Sequence, residues 1–407
     1  MKKLTIQHPT ATINGSIELA SSKSESNRAL VISALSEGKS ELYKLANARD
    51  TQTMQRLLAS PESETWDVLD AGTTMRFLTA YATIQGGQKT MTGSARMQER
   101  PIKLLVDALR SIGADITYKK NEGYPPFKIN QFRYNGNRKI EISGEVSSQY
   151  ISALLMIAPC LPEGLEIELT GKVGSKPYIQ MTLNLMEKFG ASYHFEGNKI
   201  QIDAQKYNPT NYTIEADWSG ASYWYSIVAL SKKASLTVNG LREESNQGDS
   251  VLVELMSSLG VKTTFTDKGV HLEKTEAQNH IEWDFTHCPD IAQTIAVICA
   301  AKGISAKLTG LESLRIKETD RIEAIKNELK KFDVDVQIEG DEVITLDKPI
   351  LKWSDNIVIK TYEDHRMAMA FAPLALLGQL EIEEPDVVNK SYPDFWRDLK
   401  SVGFEAG

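Results

Sequence analysis

A chain of 407 residues, 41% of them hydrophobic and 25% charged, has the balance of a globular protein with room for two ordinary cores and excludes a disordered chain. No apolar run reaches the length that spans a bilayer, and a formal net charge of -8 argues against a nucleic-acid binder, so any anion site has to be local. Cys160, Cys288 and Cys299 lack the spacing of a disulfide framework or a zinc site and read as buried apolar residues of a cytoplasmic protein.

The N-terminal stretch "KKLTIQHPTATINGSIEL" reads as one alternating strand rather than a signal peptide. Two kinds of helix then alternate along the chain. The first kind is small and apolar all round, hence buried: "SNRALVISAL", "TTMRFLTAYATI", "SSQYISALLMIAP", "SGASYWYSIVAL", "DIAQTIAVICAA" and "HRMAMAFAPLALL". The second kind is amphipathic and runs into a stop at Gly113, Gly190, Gly260, Asp333 and Gly403, positions 70 to 77 residues apart; "DTQTMQRLLAS" begins a sixth copy. Short runs such as "KIEISG", "KIQIDA" and "EVITLD" supply strands between them. Each copy is a β-α-β-α-β-β unit, and six copies imply an α/β (α+β) fold of two domains, three repeats each, with helices inside and sheets outside. Only "PESETWDVL" separates "MQRLLAS" from "DAGTTM", which leaves no room for a hairpin, so the first repeat is expected to lack two strands.

The starts of the buried helices share hydroxyls, carboxylates and cations: "SSKSESNR", "DAGTTMR", "GEVSSQ", "ADWSGAS", "HCPD" and "YEDHR". Ser, Thr, Asp and Asn there are ordinary caps, the reading kept for Asp217 and Ser219. A capping series does not need Lys23, Arg28, Arg76, Lys317, Arg321 and Arg366, all at or within a turn of such starts. Converging helix N-termini with guanidinium forks make a pocket for a ligand of several negative charges. In "ESLRIKETDRIEAIKNELKK" the amphipathic helix carrying Ile322, Ile325 and Leu329 is approached by Arg315 and Lys317 and has Arg321 in its first turn. Glu318 sits among these cations as either a general acid or a surface ion pair, and Asp290 as either a cap or a base.

The motifs "SKSESNRAL", "DAGTTMRF", "RMQERPI", "VSSQYISALLMIAP", "GSKPYIQMTLNLM", "RIKETDRIEAIKNEL", "YEDHRMAM" and "NKSYPDFW", in this order from Ser22 to Trp396, resemble those of the 5-enolpyruvylshikimate-3-phosphate synthases. The resemblance implies the two-domain enolpyruvyl transferase fold, with residues 1–19 and 214–407 in one domain, 20–213 in the other and the active site in the cleft between them. It implies transfer of the carboxyvinyl group of phosphoenolpyruvate to the 5-hydroxyl of shikimate 3-phosphate, by addition and elimination of phosphate, with no metal or other cofactor. By the same resemblance Asp290, Glu318 and Lys23 are catalytic. Lys23, Ser24, Arg28, Ser147, Ser148, Gln149, Ser175, Tyr178, Asp290, Ser313 and Lys317 hold shikimate 3-phosphate; Lys23, Gly72, Arg100, Gln149, Arg321, Arg366 and Lys390 hold phosphoenolpyruvate. His365 either moves a proton or orients Arg366, the latter preferred, and Arg76 and Arg96 are structural. The herbicide glyphosate is expected to compete for the phosphoenolpyruvate site. Asp70, Phe77 and Ser313 depart from the family's usual asparagine, proline and asparagine.

Two rivals are weighed. A UDP-N-acetylglucosamine enolpyruvyl transferase usually has a cysteine in the loop before Arg100, and here that loop is "TGSARMQER". A non-catalytic binder of phosphorylated metabolites keeps its cations but loses Lys23, Asp290 and Glu318, all present here. The expected partners are the two small substrates, without nucleic acid or membrane, and the expected state is a monomer.

Overall fold

The N-terminal stretch forms two strands where one was expected, Lys3–Gln7 and Thr12–Glu18. The break falls at His8–Ala11, where Ala11 has φ 54° and its N–H donates to His8 Nδ1 at 3.0 Å, so the alternation restarts in a new direction. The two strands enter different sheets. Lys3–Gln7 lies antiparallel between Leu380–Glu383 and Glu405–Ala406, and Thr12–Glu18 pairs in parallel with Lys233–Asn239.

This computed structural model describes residues 2–145, 147–171, 173–174, 176–354 and 356–407. Two units divide the chain, one holding the segment to Ser21 together with Glu215–Gly407, the other Ser22–Ile214. Among the described residues there are five four-stranded sheets and one two-stranded sheet. In each four-stranded sheet one pair of neighbouring strands is parallel and the other two pairs are antiparallel. Thus Thr65–Asp67 is parallel to Lys89–Thr92 across the helix Gly72–Gln85, and Phe127–Phe132 and Ala114–Tyr118 complete that sheet. The two-stranded sheet pairs Leu42–Tyr43 with Tyr212–Thr213 and belongs to the shortened first repeat, whose helix Arg49–Leu58 leads straight to Thr65.

The five helix stops all have positive φ, from 59° at Asp333 to 112° at Gly113. At Gly113 a Cβ would stand 1.9 Å from the Arg133 carbonyl oxygen, so the turn requires glycine. Each unit has its own apolar core. In one, every residue of Trp218–Leu230 is buried, beside Ala292–Lys302; in the other, Gly72–Gln85 packs on Ser148–Ile157. All-round burial leaves the polar helix starts as the ends at which these helices can meet a ligand. Cys288 and Cys299 are buried as expected, but Cys160 is exposed, because it ends the turn Ala158–Cys160 where the chain leaves the core. Among the described residues no helix is long and apolar enough to cross a membrane.

Candidate active site

In the unit that contains the C-terminal half, Asp320 caps the helix Arg321–Lys330 by accepting from Glu323 N at 3.2 Å. Arg315 donates to Asp320 at 2.8 Å and to Glu323 at 3.2 Å, so this cation is answered by the cap and first turn of that helix. Arg321 is almost wholly buried and reaches three carboxylates: Nε donates to Asp364 at 2.7 Å, Nη1 to Asp290 at 3.2 Å and Nη2 to Glu318 at 3.0 Å. Asp364 also caps the helix His365–Phe371, accepting from Arg366 N at 2.8 Å. The Arg366 guanidinium grips Asp290 twice, at the carboxylate (3.0 Å) and the backbone carbonyl (3.1 Å). Lys317 lies 3.8 Å from Asp290 and the buried Lys390 3.6 Å from Glu318. Four cations are thus interleaved with three carboxylates, which fixes every charge in a place that flexible side chains would not hold alone.

Electrostatics follow from this lattice. Burial alone raises the Asp290 carboxyl, but Arg366, Lys317 and Arg321 outweigh it and hold the group well below the usual carboxylate range. Burial pushes the Lys317 ammonium below its ordinary value against the pull of Asp290. Burial would also lower Arg321, yet Asp364, Glu318 and Asp290 together raise it, so its charge is permanent. Behind this group, Asp249 is buried and accepts a hydrogen bond from Ser219; burial first, then Asp290, pushes its carboxyl up to about 7. Asp217 is the cap it was expected to be, accepting from Gly220 N at 3.2 Å.

The other unit gathers its helix starts through side-chain bonds. Lys23, first residue of Lys23–Leu35, reaches buried Asp50 at 3.2 Å, and Thr74 Oγ1 donates to the Asp50 carbonyl at 3.2 Å. Gln149 Nε2 donates to Thr73 Oγ1 at 3.2 Å, tying the start of Ser148–Ile157 to that of Gly72–Gln85. Ser147 caps the former by accepting from Gln149 N, and Ser148 is buried. Gly72 has no left-handed φ; its constraint is space, since a Cβ would lie 2.6 Å from Arg100 Nη1. Arg28 is buried and donates to Thr182 Oγ1 (2.7 Å), Ser24 O (2.9 Å), Ser152 Oγ (3.2 Å) and Tyr178 O (3.4 Å). Its guanidinium also stands 5.2 Å from the Phe77 ring centre and 5.9 Å from that of Tyr178, and burial lowers its pKa to about 10.

Residues 7–62 and 56–399 match the model of the family described as EPSP synthase (3-phosphoshikimate 1-carboxyvinyltransferase). The chain belongs to the EPSP synthase family. A 3-phosphoshikimate 1-carboxyvinyltransferase of Bacteroides fragilis (strain YCH46) is 48% identical over 395 residues, 96% of each chain. One from Histophilus somni (strain 2336) is 35% identical over 435 residues, covering 99% of each. The solved EPSP synthase of Acinetobacter baumannii superposes over 100% of both chains with a TM-score of 0.81 at 20% identity. The enolpyruvyl transferase NikO of Streptomyces tendae gives 0.77 at 12%, over 100% of this chain and 98% of its own, and so shares the fold.

Within this EPSP synthase family member the structure brings Asp290, Glu318, Lys317, Arg321, Arg366 and Lys390 together in one unit. Ser313 stands half-buried in the turn Glu312–Ile316 just before them. Lys23, Ser24, Arg28, Gly72, Arg100, Ser147, Ser148, Gln149 and Tyr178 lie in the other unit, and Ser175 lies outside the described residues. His365 is buried with Nδ1 3.6 Å from Asp364 Oδ1. Arg76 spans its own turn and the Pro101 carbonyl (2.9 Å), and exposed Arg96 pairs with Glu99. Asp364 and Asp50, which hold Arg321 and Lys23, were missed; their signal is the carboxylate at a helix start in "YEDHR" and "ARDTQ".

Proposed function

We infer that Asp290, Glu318 and Lys23 carry the proton and charge movements of the family's reaction. The chain is a transferase: it moves the carboxyvinyl group of phosphoenolpyruvate to the 5-hydroxyl of shikimate 3-phosphate, giving 5-enolpyruvylshikimate 3-phosphate and phosphate in the shikimate pathway to chorismate and the aromatic amino acids. The observation that carries the residue assignment is Arg321, whose one guanidinium holds Asp290 and Glu318 at 3.2 and 3.0 Å. A base and an acid fixed to the same fork keep a set separation.

In the addition step Glu318 gives a proton to the methylene carbon, the 5-hydroxyl oxygen bonds to the adjacent carbon, and Asp290 takes the hydroxyl proton. In the elimination step the carbon–phosphate oxygen bond breaks, a methyl proton returns to Glu318, and the proton held by Asp290 leaves with the departing phosphate. The substrates' phosphates and carboxylates draw Lys317, Arg321, Arg366 and Lys390 toward themselves, which relieves the depressed basicity of Asp290 when the reaction needs it. Ser147, Ser148, Gln149, Ser175, Ser313 and Lys317 hold shikimate 3-phosphate. Gly72 and Arg100 complete the phosphoenolpyruvate site with Arg321, Arg366 and Lys390. Arg28 donates four of its five N–H groups within the protein, which fixes Ser24 and Tyr178, and its remaining Nη1 N–H is kept for shikimate 3-phosphate. The unpaired thiols fit the cytoplasm, and few large apolar side chains are exposed, as suits a monomer. The test is phosphate release from phosphoenolpyruvate with shikimate 3-phosphate against UDP-N-acetylglucosamine as acceptor. Release with the first alone is expected, and release with the second alone overturns the assignment.

A further inference from the structure

The turn that opens Gly72–Gln85 carries a negative charge beside a site that has to accept anions. Asp70, two residues before Gly72 and one third exposed, accepts from Arg49 Nη2 at 2.6 Å. Arg49 is the first residue of Arg49–Leu58, where a cation faces the helix's own positive end, so the helix gains nothing from it at that position. An exposed ion pair contributes little to folding, so stability does not explain the arrangement either. Its neighbours do. The next residue, Asp50, holds Lys23, and the Asp50 carbonyl receives Thr74 from the first turn of the Gly72 helix. One helix turn therefore touches Lys23 with one side chain and the Asp70–Gly72 turn with the next.

We propose that Arg49 is a specificity-determining residue for phosphoenolpyruvate: its guanidinium neutralises Asp70 so that the Gly72 turn accepts a multiply charged anion. This rests on the placement of phosphoenolpyruvate at Gly72 and Arg100. Without Arg49 the Asp70 carboxylate opposes the ligand across the partly screened edge of the site, an effect on binding rather than on the chemical step. The charge pair acts through the local field and touches no reacting atom.

Steady-state kinetics of the wild type, Arg49→Ala, Asp70→Asn and the double variant test this. Arg49→Ala is expected to raise KM for phosphoenolpyruvate roughly tenfold, with kcat and KM for shikimate 3-phosphate within about twofold, and the rise should shrink as salt is added. The double variant should return KM to within about twofold of the wild type, because the negative charge that Arg49 balances is gone. An unchanged KM in Arg49→Ala, or a double variant as weak as Arg49→Ala, overturns the proposal. A wild type that releases no phosphate from the two substrates fails the functional reading instead, so the two failures are distinct.

Discussion

Glu318 lies 3.0 Å from Arg321 and 3.6 Å from Lys390, so its carboxyl is aimed by two cations and not merely exposed to solvent. Glu318→Gln keeps the shape but cannot deliver a proton to carbon; kcat should fall by about 100- to 10,000-fold while substrate binding stays within a few-fold. Near-normal kcat would reduce Glu318 to an ion-pair partner. At Gly72 a methyl group would take the place of Arg100 Nη1, and the arginine, being long, moves aside without unfolding the helix. Gly72→Ala should therefore raise KM for phosphoenolpyruvate about tenfold, on the scale of one misplaced charged hydrogen bond, with an unchanged unfolding midpoint. Inhibition by glyphosate should weaken in the same variant and remain competitive with phosphoenolpyruvate in the wild type. The types of these residues were legible in the sequence, because cations gathered at helix starts have few structural uses. Their partners were not. Arg321 meets Asp364, 43 residues away, and Arg28 meets Thr182, 154 residues away, contacts that only the assembled repeats create.

Helix starts are where each element serves the site, and Asp364 shows how one side chain couples capping to charge. It closes the first turn of His365–Phe371 and at the same time neutralises buried Arg321. Asp364→Ala removes both functions and leaves a buried cation short of a partner, a loss on the order of 3–5 kcal/mol. Asp364→Asn keeps an oxygen for the cap and should lose less. Urea unfolding of the two variants checks this order; equal stability would show that the charge alone matters and the cap adds nothing. At this scale the sequence was informative: all-apolar helices, amphipathic helices and the five stops recur at a period that residue types alone reveal. The N-terminal stretch misled because both its strands alternate, and the change of direction at Ala11 leaves no mark in hydrophobic pattern. Phe77, where the family usually has a proline, is buried with the Arg28 guanidinium over its ring.

For the whole molecule, Asp249 makes stability depend on pH. Its folded carboxyl titrates at about 7, above the ordinary value of 3.8, so between those values the unfolded chain has already released a proton that the native chain retains. Stability consequently falls as pH rises through this window, by up to about 4 kcal/mol from this group. Asp290, held low, works in the opposite sense, but its contribution is complete above about pH 5. Asp249→Asn should match the wild type near pH 4 and exceed it at pH 8, measured as thermal unfolding midpoints; a difference independent of pH would mean that Asp249 is ionised throughout. The strand Lys3–Gln7 carries a different consequence. Its partners are Leu380–Glu383 and Glu405–Ala406, and Thr5 and Gly407 exchange backbone hydrogen bonds at 3.0 and 3.1 Å. During synthesis this strand emerges long before its partners. Ser22–Ile214 can thus close its sheets while synthesis continues, but Lys3–Gln7 must wait, unpaired and in need of protection from foreign edges, until Leu380–Glu383 and Glu405–Ala406 have been made.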